Sequence, residues 1–142
     1  MSIASDGGRD VEAPVGEAAR DSVSSALDVL AAMIHEELVM TPDDRATRER
    51  AEARLAEIAA LRRQLEATPG PVRLVGSEQM VVSVVRAAAS HAAYELDALV
   101  ERLTGRPRPI TEEEILDLRL HIVAAAGAVG TFVACESGRL TG

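Results

Sequence analysis

Apolar residues return at helical spacing through most of this chain. Val23, Leu27, Leu30, Ile34 and Leu38 fall within one narrow arc at about 100° per residue, which predicts an amphipathic helix over residues 22–40. Ala51, Leu55, Ile58, Leu61 and Leu65 form a second stripe and predict a helix over 42–67. Thr41-Pro42-Asp43-Asp44 opens it: the Thr hydroxyl can accept orphan amide protons, Pro suits the first helical position, and the carboxylates meet the positive end of the dipole. Thr68-Pro69-Gly70-Pro71 ends it. Gly76-Ser77 supplies a stop and a cap for a third helix over 78–104. Its Val81, Val85, Ala88, Ala92, Leu99 and Leu103 line one seam, and Val82, Ala89, Ala93, Leu96 and Val100 line another about 80–100° away. Two adjacent apolar faces imply two neighbours. A fourth helix, over 112–136, starts at a capping box of Thr111 and Glu114, with Ile110 and Ile115 spaced as its hydrophobic staple.

These elements predict an all-α, four-helix bundle-like domain over residues 21–142. Residues 1–20 contain Gly7, Gly8, Pro14 and Gly16 without apolar periodicity, and are expected to form a mobile acidic arm. From Ile122 to Cys135 the fourth helix carries no charge and is rich in Ala and Gly, so it is expected to be buried on every side. Small residues in that density allow close helix approach. Ala124, Ala128, Gly130 and Phe132 are therefore the expected self-association surface of a homodimer.

Composition mainly removes possibilities. All 15 basic residues are Arg, with no Lys or Asn, so lysine Schiff bases, P-loop lysines and ammonium general bases are excluded. One Tyr, one Phe and no Trp cannot build a stacking platform for single-stranded bases. The single Cys135 excludes an intramolecular disulfide or a Cys-rich zinc site. Net charge is -8, and it divides as -8 over residues 1–44, +3 over 45–73 and -3 over 74–142. An acidic chain repels phosphate backbones and anionic lipid, so neither nucleic acid nor a membrane is an expected partner. No secretory signal is visible, and the longest uncharged stretch, Leu120 to Cys135, is shorter than the about 20 residues of a membrane span, so a cytoplasmic location is expected. The one basic stretch includes Arg45, Arg48, Arg54 and Arg62, which could engage a protein partner with an acidic surface. Interleaved Glu residues also suit an ordinary solvated helix face.

Two constellations could carry chemistry. His91 with Glu95 and Asp117 with His121 are i,i+4 pairs, and Glu37 lies at the margin of its helix's seam; helices facing one another can build a metal site from such residues. Opposite charges at that spacing are equally the normal support of a helix surface. The second constellation is Arg86-x4-His91 followed by Tyr94, which resembles the motif of the HEPN family of helical ribonucleases and toxins. That resemblance implies a pair, Arg86 and His91, that polarises a phosphate and handles a 2'-hydroxyl proton at a dimer interface. The leading expectation is a non-enzymatic helical protein without a cofactor, acting through protein contacts in an accessory, regulatory or assembly role. A metal-binding bundle and a HEPN-like ribonuclease are the alternatives.

Overall fold

The computed structural model describes residues 9–41 and 43–141. Pro42 and the first eight residues of the expected arm lie outside the described residues. The chain forms strand β1 (Asp10–Val15), a 3-10 turn (Glu17–Ala19), helices α1 (Arg20–Met40) and α2 (Arg45–Ala67), strand β2 (Val72–Ser77), and helices α3 (Glu78–Thr104) and α4 (Glu112–Thr141). It is thus predominantly helical with four helices, and the all-α expectation is corrected by a two-stranded antiparallel sheet.

That sheet replaces much of the expected arm. Val11, Ala13 and Val15 alternate along β1 and stand opposite Gly76, Leu74 and Val72 of β2. Directly opposed residues share a face of an antiparallel pair, and here that face is the inner one: Ala13, Val15 and Leu74 are buried. Gly76 leaves room where a Cβ would meet Leu61 and Val81 side chains at 3.3 Å. Pro14, which has no amide proton, is tolerated because the ribbon consists only of edges; its carbonyl accepts from Thr131 Oγ1 on α4 at 2.9 Å.

The predicted seams are the ones that pack. Val23, Leu27 and Ile34 of α1, Ala51, Ile58, Leu61 and Leu65 of α2, and Val81, Val85 and Ala88 of α3 join Leu74 and Cys135 in one core. α1 lies against α2 and α3, while α4 lies against α3, β1 and the 3-10 turn. The second α3 seam is covered less: Val82 is buried, whereas Val100 is 39% exposed. A smaller cluster of Ala92, Ala125 and Ala128, with Leu96 against it, joins α3 to α4 by close approach of small side chains.

Helix starts follow local chemistry, with one correction. Ser77 caps α3 by accepting from the Met80 amide at 3.3 Å. At α2 the cap is Asp44 instead of Thr41; Asp44 Oδ1 accepts from the amides of Ala46 (3.1 Å) and Thr47 (3.3 Å). Thr41 closes α1, its hydroxyl and amide both donating to the Glu37 carbonyl. Arg20 makes a contact that no local motif foretells: its guanidinium donates to the carbonyls of Leu65 (2.6 Å), Thr68 (2.7 Å) and Gly70 (2.8 Å), tying the start of α1 to the end of α2.

The capping box of α4 forms as expected, and an arginine reinforces it. Thr111 Oγ1 accepts from the Glu114 amide at 3.2 Å, and Glu114 Oε1 accepts from the Thr111 amide at 2.9 Å. Arg106 grips both oxygens of the same carboxylate. Hydrogen bonding from Arg106, then from the Thr111 amide, holds the Glu114 carboxyl far below the usual carboxylate range. A carboxyl depressed in the folded state contributes stability that is present above its unfolded pKa, about 4.3, and is lost as pH falls below it. Glu114→Gln is therefore expected to lower the melting temperature at pH 7 and to converge on the parent in strong acid. Thermal melts across pH 2–7 measure this, and two parallel curves would refute it.

Candidate functional site

A cleft of about 320 Å³ opens where the start of α1, the middle of α3 and the first half of α4 meet. α3 contributes His91, Ala92 and Glu95, and α4 contributes Asp117, Leu120, His121 and Ala124. Four of the five residues expected for a metal site thus line one cavity. The fifth does not: Glu37 sits near the far end of α1, 3.7 Å from Arg54 of α2. Among the described residues, no three His, Cys, Asp or Glu side chains stand close enough to hold one metal ion.

α1 adds three residues that sequence patterning did not single out, Asp21, Ser22 and Ser25. Ser22 is only 7% exposed, and its hydroxyl makes no hydrogen bond to the described residues. The 3-10 turn runs directly into α1, with the Arg20 amide bonded to the Glu17 carbonyl, so the helix start offers the cleft few free amides. Nδ1 of His121 lies 2.9 Å from the Asp117 carbonyl and 3.4 Å from its Oδ1. A carbonyl only accepts, so Nδ1 carries a proton and Nε2 is the nitrogen left for another partner. His121 reaches the cleft because α4 buries the side that carries Ala125 and Ala128, opposite to the larger Ile and Val side chains.

The ribonuclease-like pair is not assembled in one copy. His91 lines the cleft, whereas Arg86 and Tyr94 do not, and the Tyr94 side chain is 73% exposed. Of the arginines expected to meet an acidic partner, Arg45 pairs with Glu49 at 3.2 Å, and Arg54 and Arg62 pair with Glu37 and Asp28 of α1. Arg48 is exposed. Two of these four arginines, Arg54 and Arg62, therefore pair across from α2 to α1. Cys135 is buried, and burial raises its thiol pKa, so it packs as a small core residue.

α4 corrects the expectation of burial on all sides. Ile115, Leu116, Ile122, Val123, Val129 and Val133 are 40–58% exposed. The expected self-association set divides accordingly. Ala128 is fully buried against α3, and Phe132 packs on the main core; Ala124 lines the cleft, and Gly130 has open space around it. By length and composition α4 passes for a membrane span, with mean hydropathy 1.7 over a window that is only 22% buried. Core helices pass the same criterion, and this one packs an entire side onto α3, β1 and the 3-10 turn. No protein-family profile, no curated protein and no solved structure matches this chain.

Proposed function

We propose that this chain is a cytoplasmic helical module that works through protein contacts, and that its first partner is a second copy bound at the outer side of α4. The observation that carries this reading is the outward apolar arc. Ile115, Ile122, Val129 and Val133 line one margin and Leu116, Val123 and Leu120 the other, with Ala126, Gly130 and Ala134 between them at i,i+4 spacing. All of these positions are exposed, and at 100° per residue they span about 180° of the helix.

Together they form one contiguous exposed apolar arc along α4, and large apolar patches of that kind mark interaction surfaces. Each partner in a standard interface contributes about 800 Å². A two-fold pair would cover the whole arc with an identical arc, and the central line of small residues lets the two backbones approach closely. A bilayer suits the same arc less well. The chain carries a net charge of -8 with no lysine, and Glu112 and Glu113 flank the arc, so anionic headgroups repel it.

Light scattering coupled to size exclusion should give about twice the 15.0 kDa chain mass at micromolar concentration. Val123→Glu and Gly130→Arg are expected to halve that mass while leaving far-UV circular dichroism unchanged, because neither position supports the core of one copy. A wild-type monomer, or a dimer that survives both substitutions, would overturn the reading. Co-sedimentation of the wild-type chain with phosphatidylcholine vesicles would overturn it in favour of a lipid surface.

A further inference from the structure

We infer that the cleft between α1, α3 and α4 is a binding site for a small aliphatic amine, taken up as its ammonium ion. The inference concerns one copy and does not depend on the proposed dimer.

Three features of the cleft specify the class of ligand. Its charge comes first: Asp21, Glu95 and Asp117 each bring a carboxylate from a different helix, and no arginine lines the cavity. Arg20, the nearest cation in sequence, is turned away and donates to the carbonyls at the end of α2. A carboxylate cluster alone attracts counterions without forming a site. The second feature is Ser22, a hydroxyl on a residue more than nine-tenths buried that lines the cavity and has no partner among the described residues. A hydroxyl that opens onto a cavity wall without a protein partner is free to bond a polar ligand there. Ionised Asp21, Glu95 and Asp117 only accept hydrogen bonds, and the Ser22 and Ser25 hydroxyls can accept as well as donate, so the set favours a ligand that donates and carries positive charge.

The third feature separates an organic cation from a metal. The acceptors are distributed around a cavity of about 320 Å³, and no three of its His, Asp and Glu side chains stand close enough to share one ion. Ala92, Leu120 and Ala124 contribute apolar surface between them. Polar groups spaced apart over an apolar wall match a molecule with donors at its ends and carbons in the middle. A short diamine has that form.

Calorimetric titration of the full chain with 1,4-diaminobutane tests this directly. Saturable binding of one molecule per chain is expected, weakening as salt is added, because the carboxylates are partly solvated. 1,4-Butanediol, equal in length but uncharged, is expected not to bind. Glu95 is exposed and makes no hydrogen bond to the described residues, so Glu95→Gln should leave the melting curve unchanged and weaken binding by about tenfold, the loss of one charge-assisted contact. Ser22→Ala should weaken it by a smaller factor. No saturable heat with the diamine, equal binding of the diol, or undiminished affinity in Glu95→Gln would each overturn the inference. So would stoichiometric binding of zinc chloride that the diamine does not displace, since the site would then belong to a metal.

Discussion

Arg20→Ala is expected to lower the unfolding free energy by about 3 kcal/mol, measured by urea denaturation with an unchanged m-value. The side chain donates to three carbonyls, those of Leu65, Thr68 and Gly70. A net hydrogen bond to a charged group contributes about 1.5–3 kcal/mol, and the exposed bond to Thr68 falls below that range. Helices end with carbonyls that lack an intrahelical partner, so removing Arg20 leaves the end of α2 uncapped at a partly buried site. Arg20→Lys is expected to recover only part of the loss, because an ammonium cannot span three acceptors as a planar guanidinium does. Amide exchange should accelerate first around Leu65 and in Val72–Ser77, which follows directly. Equal protection in parent and Arg20→Ala would show that the contact is incidental.

The second large effect compares two glycines three residues apart on α4. A Cβ at Gly127 would lie 3.1 Å from the Ala18 Cβ and 3.3 Å from the Ala19 amide nitrogen, whereas a Cβ at Gly130 would meet nothing within 4 Å. Gly127→Val therefore pushes α4 off the 3-10 turn and strains its approach to β1. Overpacking of this kind costs about 1–3 kcal/mol, and the Ala18 Cβ and the backbone of Ala18 and Ala19 cannot swing aside as a flexible side chain would, so a loss of about 3 kcal/mol is expected. Gly130→Val should leave the stability of one copy within about 0.5 kcal/mol, because the gain in helix propensity is small and there is no clash. Thermal or urea unfolding of both variants, at concentrations where the chain is monomeric, measures the contrast. Equal losses at the two sites would mean that α4 does not sit on the turn as described.

These two predictions also mark the limit of what sequence pattern reveals. The four helices were legible because their signals are local. Seam spacing places Val23, Leu27 and Ile34 on one side of α1, and the Thr111–Glu114 pair starts α4 within four residues of sequence. β1 was not legible. Val11, Ala13 and Val15 are only three inward positions between glycines, and their partners Val72, Leu74 and Gly76 lie some sixty residues away. Nor does spacing along one helix report that Arg20 will reach the end of another. In the cleft, the i,i+4 pairs His91–Glu95 and Asp117–His121 could be read from sequence, and their convergence could be raised only as a possibility. Asp21 and Ser22 carried no such signal, because a polar first turn looks the same whether it faces water or a cavity.

α4 shows the division most plainly. Its composition fixed that it would be helical, apolar on every side and lined with small residues, properties that belong to the segment itself. Which half of its circumference would be covered was decided by the position of β1, the 3-10 turn and α3, which occupy the side of Ala125, Ala128, Thr131 and Cys135 and leave Ile122, Val123, Val129 and Val133 to solvent. The physical reason is that apolar residues supply a driving force for burial without a direction. Direction comes from shape, and here the close contacts at Gly127 and Ala128 select the covered side.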